Sequence, residues 1–477
     1  MSAVSEATVA GGAVPRPSRA LDAPLGPVPV RVLSAERLFT GASGTHVKSG
    51  AVALAGGKVV WAGPLADLPA KYADWTRTDY GAATIVPGFI ETHAHLGSYS
   101  RALRPGVPDP EVHATAWEAL SSVKIARQLA SLGVTTVQSL GARDYADVAL
   151  REAIRAGLVR GPRIVAAGAP ITYSGGHDWQ DGSTADSVPE ILRRVREHHA
   201  AGTDAIKVMA TGGFMSFATA PWNAQFTVEE LRALIDDAHR LGKHVAAHAH
   251  GTEGIRRLVE AGIDYITHVT FVGLDGRTSF DPDLADEIAA KGIYVDGCAP
   301  GSYPPVPGET GTPRAADLYR HGARIVTGHD IGAVHPASAY TYGLKQLEAS
   351  GLPRAEVLLA ATSRAAGAVG LAGVTGVLAP GYAADLVVLR GDPLASLDAL
   401  DQVVEVITEG RTFEREWLEP FDPPSQGGAS GANPSGANPS GASPGSVNGA
   451  NPLSPEDFRA ALINRSQRAQ EHPFPRA

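Results

Sequence analysis

The chain has 477 residues, 44% of them hydrophobic and 19% charged, and carries a net charge of −9. That is the mixture of a soluble globular protein with room for one large domain plus appendages, or for two to three domains. The acidic balance argues against a nucleic-acid partner and no apolar stretch is long enough to span a bilayer; the single cysteine, Cys298, excludes an intramolecular disulfide and any zinc site built from cysteines.

Residues 1–27 are rich in Ala, Pro and Gly and read as a flexible arm. No basic start followed by an apolar core is visible there, so a cytoplasmic location is expected. Residues 28–84 alternate in the manner of strands between Gly-rich turns, as in Gly50-Ala-Val-Ala-Leu and Lys58-Val-Val-Trp. The same character returns at 371–415, in Asp385-Leu-Val-Val-Leu389 and Val403-Val-Glu-Val-Ile-Thr408. The two stretches are expected to pair into one small β-sandwich domain, interrupted by everything between them.

That middle, 85–370, alternates strand and helix. An opening strand within 85–95 is followed by strand candidates at 134–139, 163–168, 204–209, 244–248, 263–267, 293–297 and 324–328, with helical patterns at 116–132, 188–201, 227–241 and 252–261. Short apolar strands of this kind suit a parallel sheet covered on both faces. Eight such strands predict an α/β fold, a (β/α)8 TIM-type barrel, with a doubly wound open sheet as the competing architecture. Beyond 420 the repeats Ser430-Gly-Ala-Asn-Pro, Ser435-Gly-Ala-Asn-Pro and Ser440-Gly-Ala-Ser-Pro predict a disordered tail over 420–477, with a short helix at Pro455–Gln470.

The opening strand ends in His93-Ala-His95. Alternate residues of a strand share a face, so both imidazoles can approach one ion, and imidazole suits zinc and its first-row neighbours. Taken alone the pair is weak, and His248-Ala-His250 repeats it. Later strands also end in potential ligands: Lys207, His248, His268 and Asp330. In a barrel of this kind chemistry sits at the strand C-terminal ends. Each residue has a plainer reading: Lys207 paired with a carboxylate, Asp330 capping a helix, His268 satisfied within the core. Together and in this order they point to a metal centre.

On these residues the chain resembles the amidohydrolase superfamily, in its imidazolonepropionase-like and prolidase-like branch with two metals. The motifs are Pro87-Gly-Phe-Ile-Glu-Thr-His-Ala-His95, Gly175-Gly-His177, Asp204-Ala-Ile-Lys-Val-Met-Ala-Thr-Gly-Gly213, His248-Ala-His-Gly-Thr-Glu-Gly254 and Gly381-Tyr-Ala-Ala-Asp-Leu-Val387, and the similarity spans about 30–412. The resemblance implies that two divalent ions, zinc in the first instance, are held by His93 and His95 on one side and by His248 and His268 on the other. A carboxylated Lys207 would bridge them, and Asp330 would bind the first ion and handle protons. His329, where relatives more often carry a small polar residue, is a departure beside the site.

The implied reaction is hydrolysis of an amide C–N bond, in a peptide-like or N-acyl amino acid substrate, by a hydroxide between two cations. His177 is the first candidate for stabilising the oxyanion and fixing substrate, with Tyr173 and His250 as further substrate-binding candidates. The loop 211–225 could cover the site, with Phe217 and Trp222 as apolar walls or as ordinary packing. The expected partner is a small molecule or short peptide, bound by a single chain or a homo-oligomer, with no nucleic acid and no membrane. The alternatives are a hydrolase of a cyclic amide or amidine, a deaminase, an amidohydrolase that processes peptide natural products, and a metal-binding scaffold without catalysis.

Overall fold

The computed structural model describes residues 28–96, 114–214, 219–298, 315–418 and 421. The expected N-terminal arm, the repeat tail with its helix, and Phe217 lie outside the described residues.

Eight parallel strands form the centre: Phe89–Ala94, Val134–Ser139, Arg163–Ala166, Ala205–Met209, His244–Gly251, Tyr265–Val272, Tyr294–Val295 and Arg324–Ile325. They pair as an arc of three and an arc of five. Backbone bonds join the arcs at both seams. At one, Asp204 N–H donates to Ala166 O (2.6 Å), Ile171 N–H to Lys207 O (2.8 Å) and Met209 N–H to Ile171 O (2.9 Å). At the other, Thr92 N–H donates to Thr327 O (3.0 Å), Ile331 N–H to His93 O (3.2 Å) and His95 N–H to Ile331 O (2.7 Å). The sheet is therefore closed, which excludes the open doubly wound alternative.

The expected helices lie between these strands. Val228–Arg240 starts on a capping box in which Thr227 and Glu230 satisfy each other's backbone N–H groups. Val188–Ala201 and Thr252–Ala261 both stop at glycines in left-handed conformation, Gly202 (φ 90°) and Gly262 (φ 88°), where a Cβ would be strained. Each helix returns the chain to the bottom of the barrel, so every strand delivers its last residues to the same rim.

The opening stretch divides in two. Ala83–Pro87 pairs antiparallel with Leu386–Arg390 and belongs to the outer sheet, whereas Phe89–Ala94 is the first barrel strand. The break falls at Gly88, where a Cβ would lie 2.0 Å from the Thr135 hydroxyl. The outer strands make one hydrogen-bonded eight-stranded sheet. It folds back on itself: Val59 N–H donates to Tyr382 O (2.9 Å) and Ala384 N–H to Gly57 O (2.9 Å), around a core that includes Leu33, Leu54, Ile85 and Val388. Among the described residues no helix is long and apolar enough to cross a membrane.

Candidate metal centre

His93 and His95 leave the end of the first strand with ring centroids 5.4 Å apart. Asp330 meets them from the far side of the closing seam. Its Oδ1 lies 3.0 Å from His95 Nε2 and 3.6 Å from His93 Nε2. The backbone of Ile331, bonded on both sides to 93 and 95, pins it there. Asp330 itself has φ 57°, the left-handed region, so the chain turns sharply to aim the carboxylate inward.

His248 and His268 come from the ends of adjacent strands, with ring centroids 4.6 Å apart. His268 (φ 72°) is followed by Val269 (φ 48°), and such a conformation is costly for a β-branched residue. His268 also lies 5.0 Å from His93, centroid to centroid, so the two histidine groups meet. Among the described residues, prospective ligand atoms fall within 4.8 Å of one another in three sets: His93, His95 and Asp330; His248, His250 and His268; and His93, His268 and Cys298. Burial and then the neighbouring imidazoles hold His248, His250 and His268 well below the usual histidine range, leaving neutral rings with lone pairs to offer. Burial alone would raise the Asp330 carboxyl, but His93, His95 and Lys207 hold it well below the carboxylate range, so it is ionised.

Lys207 is fully buried on its strand. Its Nζ donates to Thr267 Oγ1 at 3.3 Å, and among the described residues no carboxylate lies within ion-pair distance. The ion-pair reading of this lysine therefore fails. Burial lowers its pKa to about 8, against the pull of the Asp330 and Asp296 carboxylates.

The substrate-binding candidates separate. The His177 ring sits 4.4 Å from that of His248, and its backbone N–H donates to Gln225 Oε1 at 2.7 Å. Gln225 in turn ties to Met209 O (2.7 Å) and Thr172 Oγ1 (2.9 Å), anchoring the glycine-rich loop to the rim. His250 stacks on His268 at 4.5 Å and shares a 2.9 Å hydrogen bond with Thr270 Oγ1, so it belongs to the histidine cluster itself. Tyr173 instead packs edge-on against Phe226 at 6.4 Å. Trp222 packs with Ala220, Val272 and Phe214, the ordinary-packing outcome.

Four further residues belong to the site. Glu91 Oε1 accepts from the backbone N–H groups of His93 (2.7 Å) and His329 (3.0 Å), while its Oε2 meets His329 Nδ1. His329 thus turns away from the ligand cluster and clamps the closing seam. Asp296 faces His93 Nδ1 at 3.4 Å and accepts from the Tyr265 hydroxyl, which orients His93 from behind. Cys298 is the fourth. Asp296 and Cys298 follow the seventh strand, the one barrel strand after the fourth whose end had no assigned ligand, and that gap was the available signal. The residues present therefore fit a pair of cations: neutral imidazoles, an ionised carboxylate and a buried lysine without an ion pair among the described residues converge on one rim.

A model of the Amidohydrolase family matches residues 84–413. The chain is similar to ochratoxinase of Aspergillus niger, 26% identical over 443 residues that cover 82% of this chain and 88% of that protein. It is also similar to imidazolonepropionase of Paracoccus denitrificans (strain Pd 1222), 27% identical over 380 residues covering 72% and 88%. Among solved structures, a Xaa-Pro dipeptidase with methionine bound in its active site superposes with a TM-score of 0.71 at 25% identity, covering 81% of this chain and all of that one.

Proposed function

The chain belongs to the amidohydrolase family and is a metal-dependent hydrolase of carbon–nitrogen bonds, and on that premise we propose that it cleaves an amide in a short peptide-like or N-acyl amino acid substrate. Two divalent ions, zinc in the first instance, would be held by His93, His95 and Asp330 and by His248 and His268, with Lys207 between them as its carbamate. The observation that carries this reading is the meeting of the two histidine groups at His93 and His268 beside a buried lysine that has no ion-pair partner among the described residues. Burial that lowers the Lys207 pKa to about 8 leaves a larger neutral fraction than an ordinary lysine has, to take up carbon dioxide, and the carbamate would replace a costly buried cation with an anion.

Bound cations supply Lewis acidity toward the scissile carbonyl and lower the pKa of water to about 7. The chain's own residues do the rest. Asp330, ionised and opposite His93 and His95, accepts the proton of the attacking water and passes it to the leaving amine. His177, held over the cluster by Gln225, stabilises the developing oxyanion. His250, stacked beside His268 and hydrogen-bonded to Thr270 Oγ1, is within the same cluster.

The similarity to ochratoxinase and to a Xaa-Pro dipeptidase supports an acyl-amino-acid or dipeptide substrate; the similarity to imidazolonepropionase supports a cyclic amide as the second reading. A screen of the zinc-loaded protein against N-acyl amino acids, dipeptides and cyclic amides, read by mass spectrometry, tests this. Hydrolysis of the linear amides, abolished by chelation, is expected. Turnover of the cyclic amides alone would favour the second reading, and turnover insensitive to chelation would overturn both.

A further inference from the structure

We propose that the Cys298 thiol is a sulfur donor to the metal centre, bound to the ion that His268 holds. The proposal rests on the two-ion reading above and adds a ligand from the seventh strand.

Cys298 is the chain's single cysteine and is buried at the rim, three residues past the strand Tyr294–Val295. A ligand atom on it lies within 4.8 Å of one on His93 and of one on His268. Its position is built. Cys298 has φ 47°, a left-handed conformation costly for a residue with a Cβ. Its N–H donates to Asp296 Oδ1 at 2.8 Å, the same oxygen that accepts from His268 N–H at 3.4 Å. The other carboxylate oxygen of Asp296 faces His93 Nδ1 at 3.4 Å. One buried carboxylate therefore sets the cysteine and both histidines relative to one another.

An independent sign that these donors surround a cation is Asp330. Among the described residues its buried Oδ1 has no well-aligned hydrogen bond, yet Nε2 atoms of two imidazoles converge on it at 3.0 and 3.6 Å. Donor counting then leaves room for the sulfur. His93, His95, Asp330 and Lys207 give the first ion four protein ligands, whereas the assigned His248, His268 and Lys207 give the second three, so that the neighbouring His250 and Cys298 are its two further donors within reach. Zinc readily takes a sulfur donor and can expand to five-coordinate, so the sulfur within 4.8 Å of His268 can join the second set beside a water. On binding, the S–H bond is replaced by a metal–sulfur bond and the proton passes to solvent. A thiolate would bias the centre toward zinc and away from manganese or magnesium, which prefer oxygen donors.

X-ray absorption at the zinc edge of the full-length, zinc-loaded protein decides the matter. A sulfur shell at about 2.3 Å, with an amplitude of about one sulfur per two ions, is expected. In the cobalt-substituted protein a sulfur-to-cobalt charge-transfer band in the near ultraviolet should appear, and it should vanish in Cys298→Ser and Cys298→Ala. Because the zinc-edge reading needs no variant, it decides even if neither substitution folds. Two bound ions with a shell of nitrogen and oxygen alone would overturn the sulfur ligand and leave the metal centre standing. No ion bound by the parent protein would overturn the centre itself, and the sulfur ligand with it.

Discussion

Gly213→Ala isolates the part played by His177 without touching any prospective ligand. A Cβ at Gly213 would sit 2.3 Å from His177 Cε1, 2.5 Å from Nε2 and 2.7 Å from Nδ1. Ordinary contact begins near 3.4 Å, so the ring must retreat by about 1 Å. Gly213 is not among the positive-φ glycines, so alanine meets no backbone penalty and the substitution acts through the ring alone. Overpacking of this kind costs about 1–3 kcal/mol of stability. A displacement of about 1 Å in a group that fixes substrate costs on the order of 100-fold in rate, or roughly 2.7 kcal/mol of transition-state binding. The assay is kcat/KM on the best linear amide for Gly213→Ala, His177→Ala and the double variant, with thermal unfolding of each. Single losses of about 10²–10³-fold are expected, and the double variant should be no worse than His177→Ala, because both changes remove one interaction. Parental kcat/KM in Gly213→Ala, or losses that multiply in the double variant, would refute the role given to His177.

Asp330→Asn should retain the fold and bind at least one ion, yet lose turnover by 10²-fold or more, since proton transfer by a positioned carboxylate contributes about 10²–10⁴-fold; parental rates would remove Asp330 from proton transfer. Glu91→Gln should lower stability by about 1–3 kcal/mol and weaken metal retention, because an amide oxygen cannot serve the N–H groups of His93 and His329 while its NH₂ meets His329 Nδ1 as the carboxylate does; an unchanged melting temperature and metal affinity would contradict that clamp. Asp147 is fully buried, and burial raises its carboxyl to about 6 despite backbone N–H groups of Gly168, Val148 and Ala167. The folded state binds this proton more tightly than the unfolded one, so the contribution to stability is full below about pH 4 and is lost as pH rises to about 6, by at most about 3 kcal/mol. In Asp147→Asn that decline should vanish, and unfolding free energies measured across this window that run parallel to the parent would show the reasoning wrong.

The barrel was legible because each strand is a short apolar run and each helix shows its own start or stop, such as Thr227 with Glu230 or Gly202 and Gly262 at the ends. The ligand rim was legible for the same reason: in an apolar strand, a terminal His, Lys or Asp stands out. What escaped was anything fixed by three-dimensional closeness. The run 85–95 is continuous in hydrophobicity, and only the Thr135 side chain against Gly88 shows that it serves two sheets. The strands expected at 293–297 and 324–328 shorten to Tyr294–Val295 and Arg324–Ile325, although Asp296 N–H and Val326 N–H still donate to Ile266 O and Val295 O on the neighbouring strands. Tyr173 had the residue type for a site role, but Phe226 claims its ring. Glu91 carries no spacing that marks it, since its partner His329 lies across the closing seam, and Asp296 and Cys298 are marked only by the missing ligand after the seventh strand.

The most direct measurement is an anomalous difference map, at the zinc edge, from crystals of the zinc-loaded protein. Two peaks are predicted, one within bonding distance of His93, His95 and Asp330 and the other of His248 and His268, with density beyond Lys207 Nζ reaching both. A single peak elsewhere, or Lys207 or His268 out of bonding reach of the ions, would contradict the account.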